Sequence, residues 1–231
     1  MSIVYIISAP SGSGKSTLVN ELRKIVTGLD FSISYTTRQP RGSEQNGREY
    51  YFVQRKEFDE MVKQDELLEH AEVFGNCYGT AKKFLREAQA SGHDLLLDID
   101  VQGAAQVKRK IPQAVSIFVL PPDREKLEWR LRSRGLDSEQ VIRRRLLTAS
   151  REIENYDKYD YILVNDRLEQ STDELKAIVL TERLRGAGQE ASSSADEKMM
   201  ETAERCRLRN VREKVQPILA SFMTSTAQGG H

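Results

Sequence analysis

Neither sign of charge prevails in this sequence: 35 Lys and Arg face 35 Asp and Glu across 231 residues, a net of zero. That balance disfavours a chain whose main partner is nucleic acid or an anionic membrane, since both usually demand a basic excess over the binding domain. A local cationic cluster can still hide inside a neutral total. Cysteine is scarce, and Cys77 and Cys206 lie far apart. No disulfide framework is available, so the two read as free thiols in a reducing compartment. His70, His93 and His231 are the only histidines and show no metal-ligand spacing. No apolar run approaches the roughly 18–20 residues that span a bilayer. Met1–Ser8 runs into a Gly-rich segment with no basic n-region or cleavage site, so no signal peptide is expected. No internal repeat is apparent. What remains is a soluble, cytoplasmic, globular protein, 39% apolar and 30% charged. Its length admits one domain plus an appendage, at roughly 100–200 residues per domain.

The patterning is that of an α/β fold. Ile3–Ile7 is a short β-branched run, as expected of a strand buried on both faces. Ser8–Gly14 is small and Gly-rich, and Leu18, Val19, Leu22, Ile25 and Val26 then recur at helical spacing from Lys15. Buried strands are expected again at Leu95–Ile99, Val115–Leu120 and Tyr161–Val164. Helices are expected at Gln102–Lys110, Arg124–Arg134, Glu139–Tyr156 and Glu169–Leu184. Such alternation argues for a parallel sheet covered on both sides. The stretch Phe31–Gly79 breaks the rhythm, with short strands at Phe31–Thr36 and Tyr50–Val53 among turn signals, and reads as a mixed subdomain inserted into the core. After Leu184 the composition shifts to a Gly/Ala/Ser linker. Lys198–Met223 then reads as one amphipathic helix with Pro217 as its candidate break, and Gln228–His231 as a frayed end.

The segment Ala9-Pro10-Ser11-Gly12-Ser13-Gly14-Lys15-Ser16-Thr17 nearly matches G-x-x-x-x-G-K-[ST]. In such a loop backbone N–H groups converge on phosphate oxygens, and the helix that follows adds its positive end. Gly12 and Gly14 allow positive φ, Lys15 neutralises β/γ-phosphates, and the Ser16 hydroxyl can ligate Mg²⁺. Ala9 departs from the pattern's first Gly. The alternative, an ordinary Gly/Ser turn, fits poorly with a loop that follows a buried strand and opens a helix.

From Ile3 to about Arg185 the chain resembles bacterial guanylate kinases. The resemblance rests on ordered blocks: Ser8–Gly12, Ser34–Arg41, Asn46–Tyr50, Gly75–Thr80, Leu97–Gly103, Arg132–Gly135 and Val164–Asp166. It implies a P-loop nucleoside monophosphate kinase fold: a parallel five-stranded core sheet (residues 1–30 and 81–185), a GMP-binding insertion (about 31–80) and a helical lid (about 130–150). It also implies ATP and GMP as substrates, with Mg²⁺. Arg38, Arg41 and Tyr50 become a clamp on the GMP phosphate, their guanidinium forks and phenol suiting an anion. Tyr78 and Gly79 lie near the acceptor. Guanine offers donors at N1 and N2 and an acceptor at O6, which Glu69 and the hydroxyls of Ser34 and Thr80 would meet. Asp98 and Asp100 end a strand, where ligands of open α/β sheets gather. They could order water around Mg²⁺, orient arginines, touch the guanine amino group, or merely close a turn. The densest basic cluster is Arg130, Arg132, Arg134, Arg143, Arg144 and Arg145. Interleaved acids make most of it a solvated face rather than a nucleic-acid site. The resemblance singles out Arg130, Arg134 and Arg145 as lid residues for the ATP phosphates, and Asn165 as a neighbour of adenine.

The reaction so implied is ATP + GMP ⇌ ADP + GDP. The catalytic cations would be Lys15, Arg38, Arg130, Arg134 and Arg145. A guanylate-kinase-like protein scaffold and a ribose bisphosphate phosphokinase of similar fold are the alternatives. The retained phosphate loop speaks against the first, and the guanine-reading set against the second. Removing the chain after Arg185 is expected to spare catalysis. The C-terminal helix would pack on its own domain or on a second copy of the chain.

Overall fold

The computed structural model describes residues 2–133, 135 and 137–223. Strands β1 (Val4–Ser8), β2 (Leu29–Ser32), β7 (Asp94–Asp98), β8 (Val115–Leu120) and β9 (Tyr161–Val164) form one parallel sheet in the order β2-β7-β1-β8-β9. All residues of β1 and β8 are buried, which is why they read as near-continuous apolar runs. A second, four-stranded sheet is mixed. It runs in the order β4-β3-β6-β5, from β3 (Tyr35–Thr36), β4 (Tyr51–Phe52), β5 (Leu67–Val73) and β6 (Asn76–Ala81).

The chain divides into two compact units. The first takes in the chain up to Ile6 together with Gly28–Val115; the second takes in Ile7–Thr27 and the chain from Ser116 on. In the first unit, α2 (Arg55–Lys63) contributes Phe58 to a small core with Leu67, Cys77 and Ala81. Helix α3 (Lys82–Ser91) packs on β6 and β7, and α4 (Val101–Lys110) packs along β5. In the second unit, α1 (Lys15–Ile25) packs on α7 (Leu168–Gly186), and α5 (Arg124–Ser133) packs on α6 (Glu139–Ile153). Helix α7 buries residues all round, from Ser171 and Thr172 to Ala177, Ile178 and Val179, because α8 (Ser194–Arg205) lies against it as well.

The structure departs from the sequence reading in three places. Phe31–Thr36 is not one strand of an insertion. Leu29–Ser32 pairs with β7 in register Leu29↔Asp94 to Ser32↔Leu97, and the chain then changes sheets at Ile33–Ser34. Helix α6 ends at Ile153, and Tyr156–Lys158 forms a separate 3₁₀ turn. The tail is two helices, α8 and α9 (Leu208–Met223), and Pro217 lies inside the second. The break falls at Cys206–Arg207 because backbone groups there are engaged elsewhere. The Cys206 carbonyl accepts from Ile162 N (2.8 Å) and Leu208 N donates to Asp160 O (3.1 Å). Together they form a short antiparallel bridge beside β9, Tyr161 opposite Arg207. The Gln228–His231 end lies outside the described residues.

Candidate active site

Strand β1 runs directly into the loop Ala9–Gly14, and Lys15 opens α1. Gly12 and Gly14 take φ values of +98° and +86°, which side-chain-bearing residues rarely adopt. Gly14 is the N-cap of α1 and supplies no side-chain cap. The first N–H groups of a helix have no partner within it, and a loop of this form before a helix suits a phosphate. The loop is braced from behind. A Cβ at Gly12 would stand 2.9 Å from both Leu127 and Leu131 of α5, and one at Gly14 would stand 2.5 Å from Asn165 Nδ2. Asn165, 5% exposed, donates through that amide to the Ser13 carbonyl at 2.7 Å. Arg130 donates to the Asn165 carbonyl at 2.9 Å and to the Ser13 carbonyl at 3.4 Å. The Ser13 hydroxyl is buried and meets no partner.

The arginine cluster separates by its contacts. Arg130 anchors the loop, whereas Arg145 pairs with Asp137 at 2.8 Å. Arg134 lies outside the described residues. Arg132 is bound to Glu128 and Glu139 on the helix surface, the solvated role expected of it.

The first unit assembles a different chemistry. The Arg38 guanidinium forms a two-pronged pair with Glu44, both bonds at 3.0 Å, and lies 5.3 Å over the Tyr50 ring. Tyr78 packs edge-on to Tyr50, with ring centroids 5.9 Å apart. Burial works against the Arg38 charge, but Glu44 and then Tyr78 outweigh it and hold its pKa above the ordinary value. Burial likewise pushes the Glu44 carboxyl up, and hydrogen bonds from Arg38 and the Arg41 N–H bring it below the usual carboxylate range. Arg41 itself is exposed, with its backbone tied to Glu44 at 2.8 Å. Glu44 escaped the sequence reading. Its only signal was one acid among the arginines of that turn.

Glu69 is the other focus. The β5–β6 register shifts between Leu67 and Glu69, leaving Leu68 as the extra residue of a bulge. Bulges re-aim side chains. Here three successive residues, Leu67, Leu68 and Glu69, are all buried, which strict alternation forbids. Glu69 is 3% exposed and sits opposite Thr80. Its carboxylate occupies the space that a Cβ at Gly103 would fill, so a glycine is required at that turn of α4. Burial pushes the Glu69 carboxyl up to about 7; the neighbouring Thr80 pulls back, and the Asp100 charge adds to the rise. The Thr80 hydroxyl is buried and falls short of hydrogen-bond geometry with any group. Helix α4 holds β5 through Gln106, which bridges the His70 backbone (2.6 and 3.2 Å), and Lys110, which reaches the Leu68 carbonyl at 2.5 Å.

The remaining expected residues occupy plainer positions. Asp100 caps α4, accepting from Gly103 N at 2.8 Å, which is the turn-closing role weighed for it. Asp98 is the last residue of β7. A Cβ at Gly79 would stand 3.0 Å from the Glu69 carbonyl and from Leu67, tighter than an ordinary contact, so a side chain there would crowd the sheet. Ser34 is half-buried at the sheet crossover and takes the Tyr51 N–H on its carbonyl at 2.9 Å.

Comparison with known proteins identifies the class. Residues 1–183 match the family model described as guanylate kinase. A guanylate kinase of Koribacter versatilis is 60% identical, over 96% of this chain and 97% of its own length. That of Escherichia coli K12 is 48% identical, over 83% and 94%. The crystal structure of guanylate kinase from Anaplasma phagocytophilum superposes with a TM-score of 0.65 at 36% identity, covering 78% of this chain and 86% of that one.

Proposed function

The chain belongs to the guanylate kinase family of ATP:GMP phosphotransferases, and from that premise we propose that the second unit carries the donor, ATP, and the first unit the acceptor, GMP. The observation that carries the acceptor assignment is the buried Glu69 beside an unsatisfied Thr80 hydroxyl. Guanine N1–H and N2–H would donate to that carboxylate, and O6 would accept from the hydroxyls of Thr80 and Ser34. Adenine offers a lone pair and an amino group in the opposite sense. Each polar group so left unpaired costs about 1–3 kcal/mol.

The GMP phosphate would take the place of Glu44 on part of the Arg38 fork, with Arg41, Tyr50 and Tyr78 beside it. That phosphate is already substantially ionised at neutral pH, so no general base is required. A GMP phosphate oxygen attacks the γ-phosphorus as its bond to the β,γ-bridging oxygen breaks, and ADP leaves. Lys15 and the α1 N-terminus would neutralise the donor phosphates. Arg130, Arg134 and Arg145 would supply the remaining positive charge, which is worth most on charge that develops in the transition state. Mg²⁺ fits the donor set. The Ser16 hydroxyl is exposed on the first turn of α1, and together with the phosphates it would hold the ion. When bound, Mg²⁺ would neutralise part of the donor's negative charge. No described helix is long and apolar enough to cross a membrane, and we place the reaction in the cytoplasm.

A coupled ADP-release assay with GMP, AMP, UMP and ribose bisphosphate tests the assignment. Turnover with GMP is expected at roughly 10² times that of AMP or more. Equal turnover of AMP or ribose bisphosphate would overturn the guanine reading. Binding of ATP and GMP by calorimetry with no ADP release would mark a scaffold.

A further inference from the structure

The packing of the second unit brings the C-terminal tail, which the sequence reads as an appendage, onto the helix behind the Gly-rich loop. In α9 the buried residues Val211, Val215, Ile218, Leu219 and Phe222 recur at three to four residues. That face packs on α5, α6, α8 and β9. Ser221 sits beside it, half-buried near the end of the helix. Its hydroxyl donates to the Ile218 carbonyl at 2.6 Å and accepts the Arg124 N–H at 3.1 Å. Arg124 is the first residue of α5. The first N–H groups of a helix have no partner within it. Asp123 satisfies one of these, through its Oδ1 and the Lys126 N–H at 2.6 Å. Ser221 satisfies another from a different part of the chain. Helix α5 is also the brace of the phosphate loop, with Leu127 and Leu131 closed on Gly12 and Arg130 on the Ser13 carbonyl. The tail therefore meets α5 through Ser221, and α5 meets the loop at Gly12 and Ser13, all within one unit.

We propose that Ser221 is a positioning residue for the ATP loop. It acts through the Arg124 N–H to hold the first turn of α5, and so the distance at which that helix supports residues 12–13. The inference rests on the reading of the loop as the ATP site.

In the full chain, Ser221→Ala removes the acceptor and leaves the Arg124 N–H short of a partner. The KM for ATP, and the Kd for ATP measured by calorimetry without GMP, are expected to rise about 3–10-fold. The KM for GMP and kcat should stay within about twofold. Ser221→Thr, which keeps the hydroxyl, should restore the ATP values. Asn210→Ala provides the control for general loosening of the tail, since its side chain bonds only Glu204; it should leave the ATP KM unchanged. An unchanged ATP KM in Ser221→Ala, an equal rise for both nucleotides, or an equal effect of Asn210→Ala overturns the proposal. A wild-type chain without ATP–GMP turnover instead removes the functional reading, and this inference with it.

Discussion

On the proposed assignment, the two units would hold anions by opposite constructions. In the proposed donor unit the ligand would meet main-chain amides, with side chains bracing the loop from behind: Asn165 and Arg130 on the Ser13 carbonyl, Leu127 and Leu131 on Gly12. In the proposed acceptor unit the ligand would meet side chains, and the main chain positions them. A bulge at Leu68 turns Glu69 inward, and the missing side chain at Gly103 makes room for it. The difference extends to charge. Arg38 is paired with Glu44, and burial pushes the Glu69 carboxyl up to about 7. A backbone cradle is ready for phosphate at any pH at which the fold stands. A side-chain pocket must exchange partners and protons to bind.

The largest effect should come from Lys15, which opens α1 directly after the loop. Lys15→Met is expected to lower kcat roughly 10³-fold or more, while GMP still binds in calorimetry with its wild-type affinity. Loss of GMP binding in the same variant would show that the two constructions are not separable. Next in size is Glu69→Gln. It replaces an acceptor pair by an amide whose NH₂ opposes the guanine donors, so kcat/KM for GMP should fall roughly 10²–10³-fold with the ATP KM little changed. The pH profile sharpens the comparison. Glu69 would accept from both guanine donors only when ionised, so wild-type affinity for GMP should climb as pH rises through about 7 and then level. The GMP phosphate also titrates, near pH 6, and the part of the climb belonging to Glu69 is the part that Glu69→Gln abolishes. Identical profiles in the two proteins would remove Glu69 from the base-reading role.

The same opposition decides how much could be read before the fold was known. A phosphate cradle has a fixed spacing of glycines, lysine and hydroxyl, because main-chain geometry is set locally. The loop and its flanking elements, β1 and α1, therefore appear in the sequence, as do β8 and β9 with their ends. The acceptor pocket is assembled from distant residues, and no local pattern joins Glu69 to Gly103 or Arg38 to Glu44. Its members entered through the family resemblance, and Glu44, Gly103 and Lys110 entered only with the structure. Strand pattern also failed for a physical reason. Alternation along Phe31–Thr36 is the same whichever sheet a residue joins, so the change of partner at Ile33–Ser34 left no mark. At Leu67–Glu69 the bulge itself destroyed the alternation that would have announced β5. In the tail, the break at Cys206–Arg207 depends on hydrogen bonds to Asp160 and Ile162, which helical periodicity cannot express.

The smallest expected effect concerns stability, and it separates the acceptor construction from general consequences of substitution. A carboxyl raised from its ordinary value of 4.5 to about 7 binds a proton more tightly folded than unfolded. Its contribution to stability is therefore complete below pH 4.5, and it is lost as pH rises through 7. At about 1.4 kcal/mol per unit the ceiling is about 3 kcal/mol. Glu69→Gln keeps the shape and abolishes the titration. Without ligand, the variant should melt close to the wild type at pH 5 and above it at pH 8. A gain of about 1–3 kcal/mol corresponds to several degrees in a chain of this size. Other carboxyls move the opposite way, Glu44 among them, since Arg38 holds it low; they act equally in both proteins and cancel in the difference. One substitution would then weaken GMP binding and stabilise the empty protein at pH 8. A merely structural Glu69 would instead leave the variant less stable at both pH values.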